Sequence, residues 1–518
     1  MNINHSRRNK TDLLTNSDAI KSFVGSLVED YLKNRSGRGL SVPQKDDCYR
    51  NFEILILDLL SAYEADPNLT IGYSRGHGNY TRGGSYWDFN NNRSSLSEIY
   101  YLEAIAFLND NGFLTNLNAV PGYTRYSSRM VATKQLTKVF EDIDVNWTHV
   151  CSDPRAPNIL VKSAEKKIVD VEPDEFDLEQ AKANLRRINE NLCDSLINLN
   201  ISDADYHSLI RSQDSDTEQE DDENSREPID FSNRCLKRIF GLGNYRNGGR
   251  FYGGWWQLIP SKYRKFIEIE GMITVELDYS TMAPAMLYAQ KNARPPHDAY
   301  TVPEWDYSVL PEDDFRKIVK KAFNQLLNSK NSSRNPNQWH RFSPDLKPET
   351  LPNNWLNLSP VQRNVLKREE FQSLTGKNYS KLLADLMNFH APIEDLFFSQ
   401  NWGRVQFLDS SIAEKVMIKM LDHTPAVTVL PIHDSFIVRK GMERVLEEKM
   451  SEAFNEVIGS TPVIENENRD HFRHLAANSR IVFGDEIAEQ AAQHQTSHRN
   501  YHVREAQWRA THGQTGYE

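Results

Sequence analysis

The apolar and polar positions of this chain are spaced in two ways, one typical of helices and one typical of strands. Within residues 17–65, the segment NFEILILDLLSAY carries apolar residues at helical spacing, and so does EQAKANLRRINENLCDSLINL farther along. NILVKSAEKKIVDV predicts a short strand pair, whereas MITVELDY predicts one strand and VTVLPIHDSFIV predicts two strands joined by a tight turn. The pattern therefore predicts an α+β protein.

The same pattern divides the chain into five parts. Residues 1–150 are predicted to form a helical domain, in which a helix, a hairpin at Pro121-Gly122 and a second helix opening at Thr133 resemble a winged-helix domain. Either nucleic-acid contact or plain packing would account for that order. The remaining parts are a mainly helical segment (151–212), an acidic linker (213–227), a compact domain (228–485) and a polar tail expected to be disordered (486–518).

Charge is distributed unevenly along the chain. Its 518 residues carry a net charge of −11, yet residues 214–227 hold eight acids and one arginine, and residues 231–265 hold eight Lys or Arg and no acid. The acidic run is predicted to be a solvated linker, with a mimic of nucleic acid covering a basic groove as the alternative. Aromatic residues interleave with the cations of 231–265, which suits binding to a single strand, unless the tryptophans belong to the core. These aromatic residues are Phe240, Tyr245, Phe251, Tyr252, Trp255, Trp256 and Tyr263.

The composition argues against a membrane partner and a disulfide-stabilised fold. No segment approaches the roughly 18 apolar residues of a spanning helix, and the opening MNINHSRRNK lacks the apolar stretch of a secretory signal. The four cysteines Cys48, Cys151, Cys193 and Cys235 are far apart in sequence and form no Cys-x-x-Cys pair. Reduced thiols in a cytoplasmic protein are therefore predicted, rather than a disulfide framework or a zinc site. The oligomeric state is left open.

Two aspartates carry the candidate chemistry, because each stands at the end of an apolar, strand-like run. Asp278 ends MITVELD, and Asp434 lies at the turn of VTVLPIHDSFIV. Between them, RKIVKKAFNQLL predicts a helix that carries Arg316 and Lys320 on one face, four residues apart. Taken singly, these residues could be a polar strand end, a turn aspartate and a solvated helix face. Their order in one chain favours a shared site for divalent metal and triphosphate.

From Gly248 onward the chain resembles the palm of A-family, polymerase-I-like DNA polymerases and of the related single-subunit, phage-type RNA polymerases. In the DNA enzymes a Gly-Arg, a Gln-x-Ile-Pro and an arginine precede a strand that ends in Asp-Tyr-Ser. The family then has an Arg and a Lys four apart on a helix, a glutamine on a later helix, and a His-Asp at a hairpin tip. The matching residues, which span about 248–440, are Gly249-Arg250, Gln257–Pro260, Arg264, Asp278-Tyr279-Ser280, Arg316, Lys320, Gln406 and His433-Asp434.

The resemblance implies a right-hand polymerase with an antiparallel-sheet palm and helical fingers, for which residues 151–212 would supply a thumb. Asp278 and Asp434 would hold two Mg²⁺ ions, for which Mn²⁺ can substitute, with the backbone carbonyl of Tyr279 as a further ligand. Arg316, Lys320 and the adjacent Lys321 would bind the nucleoside triphosphate. The implied contacts to primer or template are Arg250, Gln257, Arg264, Gln406 and His433.

Three positions depart from the family pattern. Ala283 stands where the DNA enzymes have a glutamate that excludes a 2′ hydroxyl, so it would contact the sugar without blocking it. Ser435 follows the His-Asp, as in the phage-type RNA polymerases. Both departures favour ribonucleotides. Asn328 stands where both families carry a tyrosine, which leaves the choice of sugar open. The segment NSSRNPNQWHRFSPDLKPETLPNNWLNLSPVQR is also foreign to the short fingers expected.

The leading hypothesis is a magnesium-dependent polymerase that adds nucleoside triphosphates to a 3′ hydroxyl on a primed nucleic-acid template, with primase-like use of ribonucleotides favoured and DNA synthesis open. A second hypothesis keeps the chemistry but dispenses with the template, as in an oligonucleotide synthetase. A third is a non-catalytic, nucleic-acid-binding regulator built on a polymerase-like palm. The presence of both aspartates together with Arg316 and Lys320 argues against the third.

Overall fold

The structure is a computed structural model that describes residues 5–81, 86–88, 93–119, 127–154, 156, 158–202, 204–206, 208–209, 229–310, 314–347, 350–352, 355 and 358–466. The predicted linker (213–227), the predicted tail (486–518) and the hairpin tip at Pro121-Gly122 lie outside the described residues. The described chain is an α+β protein in which helices pack against several small sheets. None of its described helices combines the length and apolar character needed to cross a membrane.

Side-chain caps open several of the helices. The Ser17, Thr133 and Asn378 side chains each accept a hydrogen bond from a backbone N–H in the first turn that follows. The helices are α1 (Asp18–Asn34), α2 (Val42–Ala65), α3 (Glu98–Asp110), α4 (Lys134–Asp142), α5 (Leu178–Asp194), α6 (Ser261–Arg264), α7 (Met282–Gln290), α8 (Asp314–Asn328), α9 (Pro360–Thr375), α10 (Tyr379–Phe389), α11 (Trp402–Leu421) and α12 (Glu443–Ile458).

The strands form three sheets of four or more strands and two isolated pairs. Their bounds are β1 (Ser6–Arg8), β2 (Leu13–Leu14), β3 (Thr70–Tyr73), β4 (Trp87–Asp88), β5 (Arg93–Ser94), β6 (Leu114–Leu117), β7 (Ser128–Ala132), β8 (Cys151–Ser152), β9 (Ile159–Lys162), β10 (Ile168–Val169), β11 (Ile197–Leu199), β12 (Lys237–Phe240), β13 (Gly248–Tyr252), β14 (Ile267–Ile269), β15 (Met272–Tyr279), β16 (Val429–Ile432), β17 (Ser435–Arg439) and β18 (Ile464–Asn466). The sheets run β1-β3-β7-β6, β10-β9-β12-β13 and β11-β14-β15-β17-β16, and β18 also pairs with β15.

The buried apolar residues form two clusters. The first lies within residues 13–150 and is centred on α2, whose apolar residues from Phe52 to Leu60 are almost all fully buried. In this part α3, β6, β7 and α4 follow one another in the order of the predicted helix–hairpin–helix pattern. Its assignment as a nucleic-acid-binding winged helix stays a prediction. The second cluster lies within residues 147–454 and surrounds the largest sheet.

The amphipathic segment that follows residue 177 is shorter as a helix than its sequence predicts. Helix α5 ends at Asp194, and Ile197–Leu199 instead form β11, which pairs antiparallel with β14. Ser195 has an extended backbone (φ −88°, ψ 139°), and its hydroxyl donates to the Asn191 carbonyl at 2.9 Å, which closes the last turn. The apolar residues after that turn gain more burial as a strand of the largest sheet than as an exposed helix end.

Strand β15 is the centre of the largest sheet. One of its edges pairs with β17, and the other is shared by β14 near Met272 and by β18 near Asp278. Strands β16 and β17 form a hairpin whose turn consists of His433 and Asp434. Helices α11 and α12 pack against each other and against this sheet. The carboxyl end of β15, the hairpin turn and the N-terminus of α7 therefore meet at one edge of the sheet.

Buried charges join the two parts of the molecule. The Lys10 ammonium lies 2.8 Å from the Asp230 carboxylate, and Arg7 contacts both Asp58, at 2.6 Å, and Asp230, at 3.6 Å. Burial alone would raise the pKa of Asp230, but the attraction of Lys10 and Arg7 lowers it below its ordinary value. The Asp230 carboxylate is therefore held in its charged form, as expected for a buried carboxylate with two cations beside it.

Candidate active site

The two predicted catalytic aspartates line one cavity of about 240 Å³. Asp278 is opposite Ser435 in the β15–β17 register, so it lies beside the hairpin turn that carries Asp434. The Tyr279 N–H donates to the Asp434 carbonyl at 3.3 Å, which ties the strand end to the turn. His433 makes the turn with a φ of 55°, in the left-handed region. Both aspartates are half-buried, and their side chains are accessible from the cavity.

Another part of the cavity lining belongs to α8. Arg316, Lys320 and Asn324 line it at intervals of four residues, as the helical period requires. The Tyr300 ring lies under this row, with its centroid 5.3 Å from the Arg316 guanidinium carbon and 5.8 Å from Lys320 Nζ. In the described part of the chain no carboxylate pairs with Lys320, so its charge is directed to the cavity without an internal counterion.

Arg316 forms an ion pair with Asp298, a carboxylate that sequence reasoning did not find. Its Nε and one terminal nitrogen donate to the two oxygens of Asp298, at 2.9 and 3.1 Å. Burial would raise the pKa of Asp298, but the hydrogen bonds from Arg316, Thr301 and the Tyr300 N–H outweigh it and lower the pKa to about 2. A bidentate pair of this kind orients the guanidinium and leaves part of it facing the cavity.

Two residues predicted to contact the substrate lie outside the cavity lining. Lys321, one position after Lys320, is turned to the outer face of α8, where its ammonium pairs with Asp345 at 2.9 Å. Asn328 is the exposed last residue of α8, roughly 12 Å along the axis from Lys320. The predictions for these two residues treated nearness in sequence or in motif as nearness in space. Ala283, by contrast, does line the cavity.

The cavity also contains an acid on α11 that the motif comparison missed. The Arg250 Nε donates to Asp409 Oδ2 at 2.6 Å, and both residues line the cavity. Asp409 is buried, and burial together with the nearby Asp434 raises its pKa to about 6, although Arg250 acts in the opposite direction. Its spacing from Trp402 and Val405, which also line the cavity, would have identified it as a lone acid on an apolar helical stripe.

The glycine before Arg250 allows this contact. Gly249 has a φ of 82°, and a Cβ there would approach Phe240 Cε1 to 2.7 Å and the Ser410 hydroxyl to 3.0 Å. Strand β13 can therefore lie close to α11 only with glycine at this position. The Gly-Arg pair works as a unit, since the glycine brings the strand near and the arginine reaches Asp409.

Two residues predicted to contact nucleic acid, Gln257 and Arg264, make hydrogen bonds inside the fold, and their contacts to nucleic acid stay predictions. The Gln257 Nε2 donates to the Phe251 and Pro431 carbonyls at 2.9 and 3.1 Å, and its Oε1 accepts from the Gly253 N–H. Arg264 donates from Nε to the Ile259 carbonyl and from a terminal nitrogen to Glu276, both at 3.0 Å. These side chains hold the loop after β13 and the middle of β15 in place.

The interleaved cations and aromatic residues of 231–265 do not form an open binding surface. Trp255 and Trp256 are completely buried, and most of the other aromatic residues in this stretch are buried as well, with Tyr252 only partly so. Arg234 and Arg238 are also buried, and Arg238 pairs with Glu414 at 2.6 Å. The pattern therefore reflects core packing rather than a platform for stacked bases.

Gln406 and His433 lie near the cavity but do not line it. Gln406 is half-buried on α11, next to the cavity-lining Val405. The His433 ring packs edge-on against Tyr252, with centroids 5.9 Å apart. Their contacts to primer or template stay predictions.

A further acid reaches the site from the end of the described chain. Strand β18 pairs with β15 so that Glu465 is directly opposite Asp278, and Glu465 lines the same cavity. The sequence VIENEN around it is short and weakly patterned, and its place depends on a free strand edge of β15. No signal in the sequence distinguishes this glutamate from any other surface acid.

The residues present fit magnesium bound jointly by protein and substrate. Asp278 and Asp434 offer carboxylates at adjoining chain segments, and Arg316 and Lys320 face the same cavity. Among the described residues, no group of three or more His, Cys, Asp or Glu is arranged to hold a metal ion by itself. That suits Mg²⁺, which commonly takes one or two carboxylates and completes its shell with phosphate oxygens and water.

Comparison with known proteins adds little to this geometry. No protein-family model and no curated protein matches the sequence. Among solved structures the chain is similar to the POL domain of Pol1 from M. smegmatis in complex with DNA primer-template and dNTP, at 13% identity and a TM-score of 0.25. The match covers 45% of this chain and 47% of that chain, about half of each. A TM-score this low does not establish a shared family, so the function is argued from the site.

Proposed function

We propose that this protein is a magnesium-dependent nucleotidyltransferase that adds nucleoside triphosphates to a 3′ hydroxyl. The observation that supports the proposal is the composition of one cavity, in which Asp278 and Asp434 share the space with the cationic face of α8 formed by Arg316 and Lys320. Acids that hold divalent metal beside cations that hold phosphate are what transfer of a nucleotidyl group requires. In this proposal the largest sheet is the palm, α8 belongs to the fingers and α5 to the thumb.

The protein's own residues have distinct tasks in the proposed reaction. Asp278 and Asp434, with the Tyr279 carbonyl, would hold Mg²⁺, which lowers the pKa of the attacking hydroxyl and neutralises the phosphates. Lys320 binds the β- and γ-phosphates, where negative charge grows as pyrophosphate leaves. Arg316, oriented by Asp298, binds the same phosphates from the adjacent turn. The Tyr300 ring supports both cations from below.

The sugar specificity we propose is permissive. Ala283 lines the cavity near the carboxyl end of β15, and its methyl group is too short to exclude a 2′ hydroxyl. Both ribonucleotides and deoxyribonucleotides are therefore proposed substrates.

The test is nucleotide incorporation on a labelled primer, with each NTP and dNTP, Mg²⁺ or Mn²⁺, and a primed template. We expect incorporation by the natural chain and a loss of at least about 10³-fold in Asp278→Asn and Asp434→Asn, with unchanged circular dichroism. Lys321→Ala is the matched control, because it removes a charge from the outer face of the same helix. The absence of incorporation under every combination by a folded protein would contradict the proposal.

One observation favours a second candidate, a template-independent oligonucleotide synthetase. Of the predicted primer and template contacts, Arg250 is bound to Asp409, while Gln257 and Arg264 are used inside the fold. The product sequence on defined templates separates the two candidates. Products complementary to the template support the templated reaction, and products with the same sequence on every template support the synthetase.

A further inference from the structure

Three of the four cysteines, which come from separate parts of the sequence, meet in the fold. Cys151 lies in β8, Cys193 lies in the last turn of α5, and Cys235 precedes β12. The Cys193 and Cys235 sulfurs are 3.1 Å apart, and both approach the Ser152 carbonyl, at 3.9 and 3.4 Å. The Cys151 and Cys193 thiols also interact, and this interaction helps to raise the pKa of the Cys151 thiol. Cys193 is thus the middle member of a three-thiol cluster.

The surrounding contacts hold the three segments together independently of the thiols. The buried Arg234 guanidinium donates to the Cys193 carbonyl at 2.8 Å and to the Val150 carbonyl at 3.0 Å. Arg234 itself precedes Cys235, so a single side chain links the backbone beside all three cysteines. The short distances between the sulfurs are therefore set by the fold and not by one flexible side chain.

The cluster is accessible on one side only. Cys151 is half-buried, whereas Cys193 and Cys235 are 9% and 5% exposed. An oxidant in solution would therefore react with Cys151 first. Among the described residues the cluster does not have the arrangement of a metal site. Thiols that lie this close together can be oxidised to a disulfide.

We propose that Cys151, Cys193 and Cys235 form an oxidisable thiol centre in which Cys193 forms a disulfide with one neighbour or the other. With a low-molecular-weight disulfide as oxidant, the Cys151 thiolate attacks one sulfur of that disulfide and releases the first small thiol. The Cys193 thiolate then attacks the Cys151 sulfur and releases the second. Two protein thiols lose two electrons and two protons, and the small disulfide becomes two thiols. Attack by Cys235 on the Cys193 sulfur moves the bond inward and regenerates the Cys151 thiol.

The protein environment makes the first step slow at neutral pH. The hydrogen bond to Cys193 and burial raise the pKa of the Cys151 thiol, so the thiolate that attacks is scarce. The transfer of the bond to Cys235 is fast because the Cys193 and Cys235 sulfurs are already 3.1 Å apart. The rate of oxidation is therefore expected to rise about tenfold per pH unit in the neutral range.

The experiment incubates the full-length protein with oxidised glutathione, alkylates the remaining thiols and maps the linked peptides by mass spectrometry. We expect the number of free cysteines to fall from four to two, with Cys193 in every disulfide and Cys48 always alkylated. In Cys193→Ala no disulfide between protein cysteines should form, and Cys151 should be recovered as its mixed disulfide with glutathione. Cys48→Ala, the matched control, should lose two thiols as the natural chain does.

Three results would overturn the proposal. The first is a natural chain that retains four free thiols after prolonged incubation at pH 8.5. The second is a disulfide that includes Cys48, and the third is a disulfide between protein cysteines in Cys193→Ala. The peptide map of the natural chain decides the matter even if Cys193→Ala does not fold. None of these results depends on the proposed nucleotidyltransferase activity.

Discussion

Asp409 is the residue whose protonation matters most in the candidate site. It is buried, it is bound to Arg250, and it faces Asp434 closely enough for the two charges to interact. Two neighbouring carboxylates disfavour each other's charged form, and burial adds to the effect. A group of this kind couples the stability of the protein to the pH of its surroundings.

We expect Asp409→Asn to remove a pH dependence of the free energy of unfolding. The folded-state pKa of about 6 exceeds the ordinary value of 3.8. The unfolded chain therefore releases this proton first, and the carboxyl group's contribution to stability is lost as the pH rises through about 6. The variant lacks this loss, so its stability relative to the natural chain should increase by about 2.4 kcal/mol between pH 4 and pH 7. Urea unfolding at pH 4, 5, 6 and 7 measures the difference.

Asp298→Asn is the control for this experiment, because the pKa of Asp298 is lowered to about 2. Its contribution to stability is present above pH 4 and is lost as the pH falls through about 2, so the difference from the natural chain should stay constant from pH 5 to pH 7. If Asp409→Asn also gave a constant difference, Asp409 would not be the group that titrates.

Several site residues could be identified from the sequence because their motifs specify local geometry. The aspartate at a strand end, the aspartate at a hairpin turn and the helix with cations four apart all line the cavity, as does Ala283. Asp298 and Glu465 could not be found this way. Each reaches the site through a contact between distant segments, and no local pattern encodes such a contact.

Among the elements, α8 shows most clearly how helical geometry divides neighbouring residues. Lys320 faces the cavity above Tyr300, whereas Lys321 pairs with Asp345 on the outer face. The two lysines are adjacent, have the same chemistry and belong to the same helix. They therefore form a natural pair for testing which face of α8 binds the triphosphate.

We expect Lys320→Ala to raise the KM for the nucleoside triphosphate at least tenfold and to lower kcat, because it removes a charge that meets the phosphates as pyrophosphate leaves. Lys321→Ala should change both parameters less than about twofold, since an exposed ion pair contributes little. Steady-state kinetics with varied nucleotide concentration separates the outcomes. Equal effects of the two substitutions would show that the outer face also takes part in binding.

The predicted elements differ from the structure where neighbours in the fold compete with local pattern. Strand β15 and the β16–β17 hairpin are where their apolar runs predict them, because a buried central strand has few alternatives. The end of the predicted helix in 179–199 becomes β11 because β14 offers it a partner. The sequence around Trp255 and Trp256 has the composition of a surface that stacks on nucleic-acid bases, but both are core residues. Composition alone does not distinguish the two roles.

On the scale of the whole molecule, the junction between the two apolar clusters depends on charge. Asp230 is 1% exposed and forms ion pairs with both Lys10 and Arg7, which belong to the first part of the chain. Removing one partner from a buried ion pair costs more than the pair contributes, because the remaining charge stays desolvated. The junction should therefore be sensitive to neutral substitutions of similar size.

We expect Asp230→Asn to lower the free energy of unfolding by about 3–5 kcal/mol, since Lys10 is left buried beside a neutral amide. Urea unfolding at pH 7 measures the loss. Asp66→Asn is the control, because Asp66 pairs with His5 in a partly exposed position and should cost less than about 1 kcal/mol. A similar unfolding midpoint for both variants would contradict the role assigned to Asp230.

The Lys10–Asp230 contact has a consequence for synthesis on the ribosome. The apolar cluster of the first part is complete once residue 150 has emerged, but the carboxylate that Lys10 contacts is then still 80 residues away. At typical translation speeds that interval lasts roughly 4–16 s. During this time the nascent first part carries an ammonium group that has not met its counterion, so it should mature fully only when the second part begins to appear.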